Sequence, residues 1–297
     1  MWAYLQPDGG WGWSNCGLVV DGEASLLVDT LFDLTLTAEM LDSMRRVTAA
    51  ARDIGTVVNT HANGDHCYGN ALIANADIVS SARCAEEMEQ VPPAMMAAMM
   101  KAAPTLGQAG VFLSRIFGSF SFEDIPLTLP STTFEGELDV RVGDRLVRLI
   151  EVGPAHTAGD VVVHLVDDGV VFTGDILFHG GHPIVWAGPV ANWVAACDRI
   201  LELAPTVVVP GHGPLAAPGD VADLKGYFEF LTSEARPRFE AGLTPLQAAR
   251  DIDLGPYSQW SEPERLVANI HALYRDYGAS GASDAMTLMG DMAALAG

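Results

Sequence analysis

The stretch TVVNTHANGDHCYGN, residues 56–70, decides how this chain is to be read. Thr56, Val57 and Val58 make a short β-branched run of the kind that is buried as a strand. The run ends abruptly in His61, Asn63, Asp65 and His66, with Gly64 among them. A strand that delivers imidazoles and a carboxylate to its C-terminal end matches where open α/β sheets place ligands. Histidine nitrogen and carboxylate oxygen are the donors that a catalytic Zn²⁺ or iron prefers.

Three later segments repeat the arrangement of a strand, a turn and a polar residue beside glycine. GPAHTAGD (153–160) carries His156, TGD (173–175) carries Asp175, and PGHG (210–213) carries His212. An earlier apolar run ends at Asp29. Glycine lets the backbone approach closely, so that neighbouring side chains converge on one point. Each segment alone is a weak signal; in this order they point to one metal centre. His179 and His182, in FHGGH just after Asp175, are candidate replacement ligands or proton carriers, and Asn63 is a candidate contact to metal or substrate.

Outward from these loops, the pattern is that of an α/β chain. Gly17 to Val20 and Ala24 to Asp29 flank an Asp21-Gly22 turn and predict a hairpin. Thr37 is expected to cap a helix carrying Met40, Leu41, Met44 and Val47. Strands are predicted at Thr132 to Leu138, Arg145 to Val152, Val161 to Val166, Val170 to Thr173 and Val207 to Val209, with a helix near Asn192 to Leu203. Between the halves, residues of about 81–130 hold Met88, Met95, Met96, Met99, Met100, Phe112, Phe117, Phe120 and Phe122. They are read as inserted helices, either ordinary core or a pliable apolar lid over a pocket.

The last third is read as helical. Thr244-Pro245 starts one helix. Ser261 to Glu264 is expected to form a capping box ahead of the stripe Leu266, Ile270, Leu273, Tyr274 and Tyr277, which Gly278 stops. Ala282 to Leu295 is expected to be a final helix, closing the core or meeting a second copy in a homodimer.

With His61, Asp65, His66, His156, Asp175 and His212 in this order, the chain resembles the metallo-β-lactamase superfamily, which includes the glyoxalase II thioesterases. The resemblance extends to about residue 215. It implies an αβ/βα four-layer sandwich: residues 1–215 as the metal-binding domain with its helical insert, and residues 216–297 as a helical region packed on it. It implies that His61 and His156 serve one metal, that Asp65, His66 and His212 serve a second, and that Asp175 bridges them. One or two Zn²⁺ ions are expected, with iron or manganese left open. The family pattern HxHxDH has Asn63 where its second histidine stands, and an amide oxygen is a weaker zinc ligand than imidazole.

The implied activity is hydrolysis of an acyl ester or thioester by a metal-activated water, with Asp65 as the catalytic carboxylate. The segments THANGDHCYGN and GDILFHGGHPIVWAGPVANW are similar to members linked to bacterial aromatic polyketide pathways, which act as cyclases or thioesterases in antibiotic biosynthesis. A lactonase and an iron-dependent oxygenase of the same fold are the alternatives. No GxSxG segment supports a serine route.

Composition bounds the partners. With 16 Lys and Arg against 38 Asp and Glu, the formal charge is −22, which repels phosphate backbones and anionic lipid heads. Neither nucleic acid nor a membrane is an expected partner; a small, apolar or aromatic acyl substrate is. Cys16, Cys67, Cys84 and Cys197 form no CxxC pair and are read as reduced thiols of a cytoplasmic protein, with Cys67 in a packing role. The opening MWAYLQPDGGWGW lacks the pattern of a signal peptide. Trp2 to Leu5 reads as a strand at the very start, so a few natural residues are expected to precede it.

Overall fold

The computed structural model describes residues 1–7, 9–279 and 285–297. Its first half forms a six-stranded sheet in chain order: β1 (Trp2–Tyr4), β2 (Cys16–Asp21), β3 (Ala24–Val28), β4 (Thr56–Val58), β5 (Asp77–Ser81) and β6 (Thr132–Phe134). β2 and β3 form the expected hairpin, with Gly17 opposite Val28, and β3 to β6 run parallel. The second half forms a five-stranded sheet ordered β11-β10-β9-β8-β7, from β7 (Glu137–Val142), β8 (Arg145–Glu151), β9 (Val161–Leu165), β10 (Val170–Phe172) and β11 (Val207–Val209).

Alternation along the strands builds two faces on each sheet. Val19, Leu26, Val28, Val58 and Val79 of the first sheet pack against Val147, Leu149, Val161, Val163 and Phe172 of the second, making the central layer of the core. Their neighbours Leu18, Leu27, Val57 and Ile78 point the other way, onto Met40, Leu41 and Met44 of α1 (Leu34–Val47). On the opposite side Ile150, Val162, Val171 and Val208 join Trp193 and Ile200 of α6 (Val190–Glu202). The result is the αβ/βα four-layer sandwich.

Thr132 to Leu138 is not one strand. Gly136, at φ 72°, turns the chain there, so β6 belongs to the first sheet and β7 to the second. Glycine alone adopts that backbone without steric cost. The helix after β3 is capped by Asp33, whose carboxylate accepts the Leu36 amide at 2.8 Å. Thr37 lies inside that helix, its hydroxyl donating to the Asp33 carbonyl at 2.8 Å, and Val47 is exposed.

A short α2 (Gly64–Cys67) follows β4 at the His61 loop, and the insert after β5 forms α3 (Ala82–Gln90), α4 (Pro93–Ala102) and α5 (Gly107–Phe117). After β11 comes α7 (Pro218–Glu240), which no specific sequence signal announced: Pro218, Gly226 and Pro237 mask its apolar positions Val221, Leu224, Phe228, Leu231 and Ala235. Next are α8 (Pro245–Asp251), capped by Thr244 as expected, and α9 (Arg265–Asp276), which buries Leu266, Ile270, Leu273 and Tyr274. The expected capping box at Ser261 does not form. Ser261 instead ties to the loop after Asp175, its amide donating to the Gly180 carbonyl at 3.0 Å and its carbonyl accepting the His182 amide at 2.9 Å. The final helix, α10, is Ala285–Ala296; the expected start at Ala282 lies outside the described residues. Among the described residues, no helix is long and apolar enough to cross a membrane.

Candidate metal centre

Parallel pairing fixes where the polar loops meet. β3 and β4 run side by side and end at Asp29 and at Asn59-Thr60-His61; β10 and β11 run side by side and end at Gly174-Asp175 and at Gly211-His212. Both pairs end at the same edge of the sandwich, and the β8–β9 loop brings His156 there. All six candidate residues are buried. They fall into two groups: His61, His156 and Asp175, and Asp65, His66 and His212. Within each group the donor atoms lie within 4.8 Å of one another.

Asp175 stands between the groups, one oxygen turned to each. Its Oδ2 lies 3.3 Å from His156 Nε2 and 3.7 Å from His61 Nε2. Its Oδ1 lies 3.1 Å from His66 Nε2 and 3.4 Å from His212 Nε2. Asp65 Oδ2 is 3.3 Å from His212 Nε2. Yet the Nε2 atoms of His61, His66 and His156, and Oδ1 of Asp175, are buried without a hydrogen bond. Orphaned buried polar atoms are costly, and such a cluster is explained by a cation between them. The residues therefore fit the metal that the sequence implied.

The far side of each ring supports this. His66 Nδ1 is 3.0 Å from Asp29 Oδ2, and His156 Nδ1 is 2.7 Å from the Ile184 carbonyl. His61 Nδ1 is 3.0 Å from Thr60 Oγ1, whose proton is already donated to Asp29 Oδ2 at 2.7 Å. Each of these partners accepts from Nδ1–H, which leaves the lone pair on Nε2, facing the other ligands. His212 is held by stacking on Phe178, ring centroids 5.0 Å apart and 6° from parallel. Gly211 leaves the room Asp175 needs, since a Cβ there would fall on Asp175 Oδ1.

The charges are arranged in alternation. Burial lowers the pKa of His61 well below its ordinary value and that of His156 to about 4, so both are neutral donors. Burial also opposes charge on His212, but the Asp175 and Asp65 carboxylates outweigh it and hold that histidine at about 9. Burial also opposes charge on His66, but Asp175 and Asp65 raise it, so an ion at that site would displace the proton of its Nε2. Burial likewise opposes charge on Asp175, but the surrounding histidines outweigh it and keep this carboxyl well below the ordinary range.

The remaining candidates lie elsewhere. His179 is at the protein surface, its Nδ1 3.1 Å from the Pro214 carbonyl and its Nε2 3.4 Å from Asp220. His182 is buried against Tyr227 and Trp260, with Nδ1 2.9 Å from the Tyr227 hydroxyl. Neither joins the cluster: the two glycines between them carry the chain away from Asp175 to pair with Ser261. Asn63 is the N-cap of α2, makes no cap bond with its side chain, and lines the cavity over the centre. Cys67 packs, its thiol pushed well up by burial and donating to the Ala62 carbonyl at 3.4 Å. All four cysteines are free.

That cavity has a volume of about 330 Å³. His156, Asp175, His212 and Asp65 form its floor, and Trp11, Phe32, Phe178, Ile184 and Trp186 part of its walls. The insert supplies Glu87, Val91, Met96, Met99 and Phe117, and the C-terminal helices supply Arg265 and Met289. Sequence reasoning named Asp29 only as a strand end and did not name Arg265 at all. Asp29 carried a signal, an acid on an apolar strand's last step; Arg265, at the head of an ordinary amphipathic helix, carried none.

Residues 9–212 match the family model of the metallo-beta-lactamase superfamily. The chain is 25% identical over 217 residues to acyl-coenzyme A thioesterase MBLAC2 of Bos taurus, covering 67% of this chain and 72% of that protein. Among solved structures, the sec-alkylsulfatase Pisa1 from Pseudomonas sp. superposes with a TM-score of 0.66 at 16% identity over 93% of this chain, which spans 49% of that protein's length. A metallo-beta-lactamase from Pontibacter korlensis superposes with a TM-score of 0.52 at 20% identity, over 73% of this chain and 87% of that one. At these identities the structures share the fold.

Proposed function

The chain belongs to the metallo-beta-lactamase superfamily, and from that premise we propose that it is a zinc-dependent hydrolase of apolar or aromatic acyl thioesters and esters. The observation that carries this is the pair of buried three-residue donor groups sharing Asp175 at the floor of an apolar cavity. In this reading His61, His156 and Asp175 would hold one ion, and Asp65, His66 and His212 would hold the second, with Asp175 placed between the two groups. Bound zinc supplies Lewis acidity and a water whose pKa falls toward ~7.

This chain's residues do the rest. Asp65 lies on the cavity floor, and although burial opposes its charge, His66 and His212 keep it ionised, ready to accept the proton of an attacking water. Asp29 and the Ile184 carbonyl hold His66 and His156 in the required tautomer. Trp11, Phe32, Met96, Met99 and Phe117 give the acyl group an apolar seat and keep bulk water away from the ester carbonyl. We take residues 1–215 as the catalytic domain and 216–297 as a helical region; that the second packs on the first is supported by the contact of α7 with α6.

A thioester is supported by the relative named as an acyl-coenzyme A thioesterase. The finer reading, a polyketide cyclase or thioesterase, is supported by the resemblance of residues 60–70 and 174–193. The test is a panel of coenzyme A and N-acetylcysteamine thioesters, aryl esters and lactones, offered to protein of measured metal content. Thioester hydrolysis that stops on chelation, returns with zinc and is abolished in His66→Ala is the expected result. No turnover across the panel by fully zinc-loaded protein would refute the proposal, and bound iron with oxygen uptake would replace it.

A further inference from the structure

We infer that Arg265 anchors a carboxylate carried by the substrate's acyl group. The inference rests on the hydrolase reading and adds the chemical class of what that cavity takes. Arg265 is the first residue of α9, is only 2% exposed, and lines the cavity with Asp65, Asp175 and His212. A buried guanidinium ordinarily faces a carboxylate, because burying an uncompensated charge is costly. Here no carboxylate of the described residues comes within ion-pair distance of it, although Glu262, Asp175, Glu264 and Asp65 act on it from further off. Nη1 donates to the His182 carbonyl at 3.1 Å, and Nε is buried with no partner.

The acids nearby are engaged elsewhere; Glu262, the charge that acts most on Arg265, accepts the Ser261 hydroxyl on its carboxylate. Glu264, next in the chain, accepts the Trp11 indole N–H at 3.0 Å and lies 3.9 Å from Arg115. Asp65 and Asp175 face the histidines. The flat faces of Trp11 and Phe178, 4.3 Å and 5.1 Å from the guanidinium carbon, hold the group in place without neutralising it. Glu262, three residues earlier, takes a left-handed φ of 51°, a backbone cost borne where the chain turns Arg265 inward.

The chemistry selects the ligand. A planar fork of N–H donors matches the two oxygens of a carboxylate. One guanidinium balances one negative charge, whereas a phosphate monoester would bring nearly two into a cavity also lined by Glu87. The apolar walls seat the remainder of the acyl group. Because α9 lies beyond the segment that matches the superfamily, the residue is a device of this chain's C-terminal helices.

The competing explanation is structural: Arg265 merely ties α9 to the 182 loop. Binding calorimetry separates the two with 2-naphthoate and its neutral isostere 2-naphthamide, on zinc-loaded protein. Wild type should prefer the naphthoate. Arg265→Met should weaken naphthoate by roughly ten- to a hundredfold, the loss of a charged hydrogen-bond pair, and naphthamide by less than about threefold. Any carboxylate binding to zinc is common to both proteins and cancels. Equal weakening of both ligands, no weakening, or a wild type without preference overturns the inference. Should Arg265→Met fail to melt cooperatively, Arg265→Lys keeps the charge and stem but not the fork. It should still lose naphthoate affinity selectively, and no selective loss overturns the inference. The readout needs no turnover, so inactivity on the ester panel would count against the hydrolase reading alone.

Discussion

The substitution Asp29→Asn should cripple zinc binding without touching a ligand. Asp29 follows β3 and accepts three hydrogen bonds: the Thr60 amide at 2.7 Å on Oδ1, and the Thr60 hydroxyl at 2.7 Å and His66 Nδ1 at 3.0 Å on Oδ2. The Thr60 amide cannot rotate, so the oxygen of the introduced asparagine must stay there. Its NH₂ then faces His66, whose Nδ1 is forced to accept and whose proton moves to Nε2. That is the nitrogen 3.1 Å from Asp175 Oδ1, where an ion needs a lone pair. Loss of such a supporting contact costs about 10- to 100-fold in metal affinity, or roughly 1.4 to 2.7 kcal/mol. The backbone is not at issue, because asparagine tolerates the left-handed φ of 62° that Asp29 adopts. Competition with a chromophoric chelator reads the affinity, and a melting curve checks the fold. Zinc affinity within about threefold of wild type would refute the argument from tautomers.

Three further outcomes are expected. Asn63→His adds an imidazole at the cavity wall near His61 and His156 and should tighten the weaker zinc by about tenfold; unchanged stoichiometry by elemental analysis would count against this assignment. Gly211→Ala puts a methyl group on Asp175 Oδ1, so it should cost about 1–3 kcal/mol of stability and lower zinc content. A variant that melts like wild type with full metal would contradict the close approach. In the metal-free protein His212 titrates at about 9, so it is protonated below that pH and deprotonated above it. Zinc loading should therefore release more protons per chain near pH 7.5 than near pH 10; calorimetry in buffers of different ionisation enthalpy measures it, and release that does not fall with pH would refute it.

Much of the fold could be read from local chemistry. Val57-Val58 and Val207-Val209 are β-branched runs with polar residues or glycine close on either side, and the strands found there match the expected limits. The Asp21-Gly22 turn announced its hairpin. Errors came where two local signals competed. Thr37 looked like a cap, but Asp33 reaches the Leu36 amide first. Thr132 to Leu138 alternates as one strand does, yet Gly136 divides it between sheets. Ser261 to Glu264 has a capping box's letters, yet Ser261 is drawn to Gly180 and His182 by a contact some eighty positions away in the chain.

By itself, the order of residues determined the kind of chemistry. His61, Asp65, His66, His156, Asp175 and His212 each follow a recognisable strand, and donor identity with glycine spacing is a local property that survives without coordinates. It also determined the two-halved α/β plan, because strand and helix periods are written in neighbouring side chains. Only the tertiary structure decided that Asp175 stands between two donor groups, that His179 and His182 stand apart, that Asp29 aims His66, and that Arg265 lines the cavity beside the centre without a carboxylate in ion-pair contact. Those facts depend on distances between elements remote in the chain. Such distances follow from how sheets stack and helices close over them, and no local pattern of residues encodes them.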